Sequence, residues 1–375
     1  MNRICFSLLL AGLILAPSSA LGQERSFIVG SRSMLGVGTD LSPSLTFADV
    51  DGDGDLDVLV ANGRHWPQQN EIFLNSGKGR FMQRYPLGEV SRTSYSIPVA
   101  DLDGDGDLDA IVANDMAPNV IYLNDGSGQF SEAGTLGPEV ESTRDVILAD
   151  LNGDGLPDAI VTNRGMENGI YLNEGGTFGP KRGFGSKDDS TISLSVADMN
   201  ADGWPDLILA NRDGQPNFVY LNDGSMGFEQ RISYGSGSDE TRSVAVADMD
   251  GDGYLDIITA NIGEQNGVYF GNASGAFGKG VTFGAEEGAS YAVSVIDLDL
   301  DGDMDVIIGN VRAPNAAFFN DGSGRNFDQV AFGMEDGISY GVGAGDVNGD
   351  GYPDVGIANS NGLNLILINR SASNQ

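Results

Sequence analysis

From Phe27 onward the chain is written in short apolar runs separated by polar, glycine-rich turns. One set of runs is about five residues long and ends in Asn, as in Asp57-Val-Leu-Val-Ala-Asn62 and Asp305-Val-Ile-Ile-Gly-Asn310. Runs of that length and composition, bounded by turn residues, read as buried β-strands. A strand such as Tyr95-Ser-Ile-Pro-Val-Ala100 precedes each, and one such as Val120-Ile-Tyr-Leu-Asn124 follows after a short polar loop. Next comes a turn of Asn-Asp-Gly-Ser-Gly type, whose Asp-Gly and Ser-Gly pairs favour tight hairpins. A Phe then opens a looser fourth strand, at Phe81, Phe130, Phe178, Phe228, Phe277 and Phe327. After residue 22 the pattern shows no helical periodicity.

This unit recurs roughly every fifty residues, and such a period is the signature of a radial or stacked repeat architecture. Four antiparallel strands per repeat, repeated seven times, predict an all-β fold: a seven-bladed β-propeller with four-stranded antiparallel blades. The last repeat stops after its third strand, Leu365-Ile-Leu-Ile-Asn369, while Phe27-Ile-Val-Gly30 matches a fourth strand. The N-terminal strand is therefore expected to close the last blade. Residues 23–375 are expected to form a single domain without a linker.

Between the first and second strands of every repeat lies D-x-[D/N]-x-D-G-x-x-D. Positions one, three and five are Asp49, Asp51, Asp53; Asp101, Asp103, Asp105; Asp150, Asn152, Asp154; Asp198, Asn200, Asp202; Asp248, Asp250, Asp252; Asp297, Asp299, Asp301; and Asp346, Asn348, Asp350. Alternate residues of a tight loop can point several oxygens at one centre, which suits calcium and its preference for about six to eight oxygen ligands. Position six is Gly throughout, as a sharp bend round an ion requires. Position seven varies (Asp55, Asp107, Leu156, Trp204, Tyr254, Asp303, Tyr352), so its backbone carbonyl is expected to face the metal. Position nine is always Asp: Asp57, Asp109, Asp158, Asp206, Asp256, Asp305 and Asp354. An EF-hand would place Glu at position twelve and enter a helix; here position twelve is Val, Leu, Ile or Thr inside a strand. Up to seven calcium ions are expected. The loops with Asn at position three should bind more weakly, because ligand charge tunes affinity.

The net charge of −34 takes its meaning from these loops, which hold nearly half of the 54 acidic residues. Filling all of them with calcium would bring it to about −20. A surface this acidic argues against nucleic acid or anionic lipid as partner. The N-terminus carries Arg3, an apolar run from Ile4 to Ala16, and small residues up to Gly22. That is the pattern of a secretory signal peptide over residues 1–22, with cleavage after Ala20 or Gly22, and it is too short to span a bilayer. Cys5, the only Cys, lies inside it, so no disulfide is expected and a Cys nucleophile is excluded. The protein is expected to be secreted or periplasmic, monomeric and without a transmembrane segment.

Six residues before each loop stand Pro43, Tyr95, Arg144, Ile192, Arg242, Tyr291 and Tyr340. Tyr95, Arg144, Arg242, Tyr291 and Tyr340 would ring the mouth of a central channel at the end away from the loops. Tyr offers a flat apolar face with a hydroxyl, and Arg a planar fork for carboxylates. Connections between second and third strands add Arg64, His65, Trp66, Arg164, Arg212 and Arg312. Such a rim suits a sugar, a uronic-acid polymer or an acidic protein segment; ordinary solvated loop residues are the bland alternative. His65, the sole His, is either an exposed loop residue or a general base, and a multi-His zinc site is excluded.

The loops, with Phe178-Gly179 and Phe277-Gly278, resemble the FG-GAP/VCBS repeat family, the propeller type of integrin α subunits, over about residues 27 to 370. The resemblance implies calcium loops on one face and ligands on the other. Literal Phe-Gly and Gly-Ala-Pro elements are only partly present, so the calcium-loop subclass is the better match. The expected function is a secreted calcium-binding module for a carbohydrate or extracellular protein partner. Two alternatives stand beside it: a polysaccharide lyase, since some calcium-loop propellers of this kind cleave acidic polysaccharides, and a structural surface module without a rim ligand.

Overall fold

The computed structural model describes residues 25–36, 40–273 and 275–370; the leader expected over 1–22 lies outside the described residues. Every described element is a β-strand. Among the described residues no helix is long and apolar enough to cross a membrane.

Each repeat builds an antiparallel meander. In the fourth, Thr191–Ala197 pairs with Asp206–Asn211, which pairs with Asn217–Leu221, which pairs with Gln230–Tyr234. The acidic loop is the hairpin connection, and position nine opens the second strand: Ala197 faces Asp206, Ala48 faces Asp57 and Ile296 faces Asp305. Five four-stranded sheets and one seven-stranded sheet result. The larger one joins the second and third repeats, because Asp109–Asn124 and Phe130–Ala149 run on as continuous strands. The polar loop expected between the second and third strands is replaced there by extended chain. It is bent by register shifts around Ala117 and by Met116 at φ 53°.

Second strands are buried on both faces, from Asp57–Ala61 to Asp354–Asn359. That is why they read as unbroken apolar runs rather than as alternating ones. Fourth strands such as Gln230–Tyr234 are largely exposed, which accounts for their looser pattern. The core is divided among seven apolar clusters of the described residues, each shared by two neighbouring repeats. One of them joins Val347, Ala358 and Ile366 of the last repeat to Leu45, Val58 and Phe73 of the first.

The first and last described strands meet in one sheet. Phe27–Leu35 pairs antiparallel with Asn364–Asn369, with Phe27 opposite Asn369. Asn364 Nδ2 donates to Ser42 Oγ at 3.0 Å, and Asn75 Nδ2 to the Val347 carbonyl at 2.8 Å. Packing at this seam is close: a Cβ on Gly356 would lie 2.7 Å from Phe47 Cζ.

Candidate metal loops and a basic cavity

The acidic loops share one hydrogen-bond scheme. The position-one carboxylate accepts the N–H of the position-six Gly in all seven, from Gly54 to Asp49 at 3.0 Å to Gly351 to Asp346 at 2.7 Å. That Gly has φ between 89° and 99°, the left-handed region, with open space where a Cβ would stand. Its requirement is therefore conformational, not steric. The position-five carboxylate accepts the N–H of position seven in every loop, as Asp202 does from Trp204 and Asp154 from Leu156, both at 2.9 Å. Pinning that amide orients the position-seven peptide, whatever its side chain.

Position nine has a second task that sequence reasoning missed. Both oxygens of this buried carboxylate accept backbone N–H groups, one from position two and one from the residue closing the third strand. For Asp305 these are Leu298 at 2.9 Å and Asn320 at 2.8 Å. The closing Asn then reaches back one repeat: Asn320 Nδ2 donates to the Met249 carbonyl at 2.8 Å, and Asn124 Nδ2 to Val50 at 2.8 Å. Six of the seven loops are latched to the following repeat in this way. In the fifth repeat Gly271 replaces the Asn and only the backbone bond to Asp256 survives. Burial pushes the position-nine carboxyls up, Asp57 and Asp305 to about 7 and Asp206, Asp256 and Asp354 to about 6, against the opposing pull of these amides.

Four loops bring carboxylate oxygens within 4.8 Å of one another and could hold a metal ion: Asp49, Asp51, Asp53; Asp101, Asp103, Asp109; Asp248, Asp250, Asp256; and Asp297, Asp299, Asp305. These are the four with Asp at position three. One oxygen each of Asp49, Asp51 and Asp250 and both of Asp299 are buried without a hydrogen-bond partner, Asp299 having only the Arg25 charge beside it. Buried anionic oxygens need a counter-charge or a donor, and a donor set made only of carboxylates fits a hard cation. In the Asn loops the amide supplies the donor instead: Asn152 to Asp154 and Asn200 to Asp202 at 2.9 Å, Asn348 to Asp354 at 3.0 Å. Two Asp loops also receive an arginine from outside the loop. Arg25 lies 2.6 Å from Asp299, and Arg325 3.1 Å from Asp250.

Six residues of extended first strand, about 20 Å, separate the loops from a cavity of about 260 Å³ at the other end. It is lined by Pro43, Tyr95, Arg144, Ile192, Arg242, Tyr291 and Tyr340, the whole predicted ring. Arg64, His65, Arg164 and Arg212 join them from the connecting loops. Trp66 is exposed, and neither it nor Arg312 is part of the lining. Arg144 pairs with Asp115 at 2.9 Å and lies 4.3 Å from the Tyr95 ring centre. Arg164 and Arg212 share Asp213 at 3.3 and 3.0 Å. Tyr291 and Tyr340 meet edge-to-face at 4.8 Å, with Arg242 against the first and Arg64 against the second. Burial, then the charges of Arg64 and Arg144, pull His65 below its ordinary value, which keeps the imidazole neutral near pH 7.

A second tier lies one residue further along each first strand: Ser44, Ser96, Asp145, Ser193, Ser243, Ala292 and Gly341. Its signal in the sequence is a Ser recurring five residues before the loop. Asp145, Ala292 and Gly341 depart from it, and Asp145 is a carboxyl pushed up to about 7 by burial.

Six overlapping FG-GAP-like repeats match the chain, over residues 49–112, 101–161, 150–209, 198–259, 248–308 and 297–357. No curated protein matches it. Its fold is similar to a chain in the crystal structure of BBS1N in complex with ARL6DN soaked with lead, at a TM-score of 0.62 and 12% identity, covering 91% of this chain and 96% of that one. The same complex soaked with mercury gives a TM-score of 0.63 at 12% identity and the same coverage. At that identity the likeness concerns the fold alone. Repeats, four-stranded antiparallel sheets and these neighbours make this an all-β, propeller-like molecule.

Proposed function

This chain belongs to the FG-GAP-like repeat family, and we propose that it is an exported, calcium-stabilised, closed seven-bladed propeller that binds an acidic carbohydrate or extracellular protein through its basic cavity. Closure is supported by the pairing of Phe27–Leu35 with Asn364–Asn369 and by the apolar cluster shared between last and first repeats. Calcium is supported by the unpartnered carboxylate oxygens of the Asp loops. Bound there, it would neutralise carboxylates that otherwise repel one another, and so stiffen each hairpin and its latch to the next repeat. Export rests on the leader-like residues 1–22.

The observation that carries the binding role is convergence. Tyr95, Arg144, Arg242, Tyr291 and Tyr340 come from five different repeats and meet in one cavity. The test is binding of the mature protein, with calcium, to a broad glycan and polysaccharide panel. Saturable binding should disappear when all five are replaced together; an unaltered profile in that variant would refute the reading. Calcium's role is checked separately: chelator should lower the melting temperature sharply, and an unchanged melting curve would refute it.

One observation favours a second reading, a lyase. Neutral His65 stands in the cavity wall with Tyr95 and several arginines. A base there could take the proton α to a uronate carboxylate while the bond to the 4-oxygen breaks, leaving a carbon–carbon double bond; passing that proton from the imidazolium to the departing oxygen gives the new hydroxyl and restores the base. Absence of unsaturated product after long incubation with pectic or ulvan-like polymers would exclude it.

A further inference from the structure

The arginines of the cavity are not equivalent. Arg144 is neutralised by Asp115 at 2.9 Å, and Arg164 and Arg212 divide Asp213 between them. Arg64 has no carboxylate partner among the described residues; its guanidinium lies 3.6 Å from the centre of the Tyr340 ring. The Arg242 side chain is only 10% exposed, yet the one acid paired with it among the described residues is Glu240 at 3.4 Å, itself 38% exposed, and its Nε has no hydrogen-bond partner there. Burial, then the charge of Arg212, lowers the Arg242 pKa against the pull of Tyr291, Glu240 and Asp213. Contacts place these two in one continuous arc: Arg242 against Tyr291, Tyr291 against Tyr340, Tyr340 against Arg64. Half of the cavity is therefore committed to internal ion pairs. The other half offers two under-neutralised guanidinium groups flanking a tyrosine pair.

Resting on the reading that this cavity is the binding site, we infer that Arg64 and Arg242 receive the carboxylate of a uronic-acid residue against the Tyr291–Tyr340 pair, while Arg144, Arg164 and Arg212 maintain the shape of the opposite wall. A guanidinium fork matches a carboxylate in plane and charge. Tyrosine supplies an apolar face for a sugar ring and a hydroxyl for its edge, and the serine tier below multiplies the hydroxyl partners. A cavity of about 260 Å³ lies just under the usual range of small-ligand sites, about 300–1,000 Å³. That size favours the end of an acidic glycan over a folded protein segment.

The test is calorimetric titration of the full mature chain, in calcium, with tetragalacturonate, its methyl ester and an acidic peptide. Tetragalacturonate should bind and the ester should not. Arg64→Gln and Arg242→Gln should each weaken binding about tenfold or more, the worth of a charge-assisted hydrogen bond. Arg164→Gln and Arg212→Gln should change it less than about threefold. Arg64 sits in a connecting loop and is only half-buried, so its variant bears the test if buried Arg242→Gln does not fold. Equal losses in all four variants would overturn the division of the cavity but leave the cavity as the binding site. Unchanged affinity in all four would remove the cavity reading itself. Equal binding of the ester would overturn carboxylate recognition. Binding of the peptide alone, or of neither probe, would overturn the glycan assignment.

Discussion

Replacing Asp305 by Ala separates the two tasks of position nine. The buried Asp305 carboxylate accepts the Leu298 and Asn320 amides at 2.9 and 2.8 Å. Truncation would leave both N–H groups buried and unpaired, at about 1–3 kcal/mol each, so about 2–6 kcal/mol in total. One term opposes this. Burial raises the Asp305 pKa to about 7, so near neutral pH without a cation the native fold already bears the cost of a partly ionised carboxylate. The loss in chelator should therefore lie toward the lower end of that range. Asp301, at position five, is exposed and accepts only an exposed amide. Urea unfolding of both variants, each with calcium and with chelator, distinguishes the roles. Asp301→Ala should cost stability only when calcium is present, Asp305→Ala under both conditions. An Asp305→Ala midpoint equal to that of the unsubstituted protein in chelator would refute the latch argument.

Other perturbations test other links. Leu300 takes the left-handed conformation, φ 61°, at a loop position where most repeats have Gly; Leu300→Gly should stabilise by up to about 1 kcal/mol in thermal melts. Asp145 is raised to about 7 by burial, so the folded state keeps its proton at higher pH than the unfolded chain does. Its stabilising contribution is present below pH ~4 and is lost as pH rises through about 7. Asp145→Asn should flatten the melting temperature over that window when measured in calcium. Arg325→Ala removes the internal cation 3.1 Å from Asp250 and should tighten calcium binding by the fifth loop, read as a change in calorimetric affinity. Asn75→Ala deletes the bond to the Val347 carbonyl at the seam and should cost about 1 kcal/mol, the net worth of one hydrogen bond, because the Gly79 N–H still serves that carbonyl at 2.7 Å; chemical unfolding measures it.

Much of this molecule is legible in its residues because its defining features are local. The nine-residue loop contains its own hydrogen-bond scheme, from the Gly54 amide on Asp49 to the Asp55 amide on Asp53. The apolar runs name the buried second strands, because a strand covered on both faces needs no alternation. The ring of Tyr95, Arg144, Arg242, Tyr291 and Tyr340 was readable too, since a strict repeat puts equal offsets at equal places. Less was visible where neighbours decide. Asp109–Asn124 and Phe130–Ala149 read as broken strands and run on unbroken. Trp66 read as a rim residue and stands outside the cavity lining.

The sequence by itself determined the repeat, its strands and the oxygen-rich loops, because hydrophobic period and turn chemistry act over a few residues. Only the tertiary structure decided which charges remain free. Asp213 bridges Arg164 and Arg212, Arg325 reaches the fifth loop from the sixth repeat, and Arg64 is left with a tyrosine. Apart from the adjacent Arg212 and Asp213, those pairings join side chains from different repeats, and Coulomb attraction between them depends on a distance that no local pattern records.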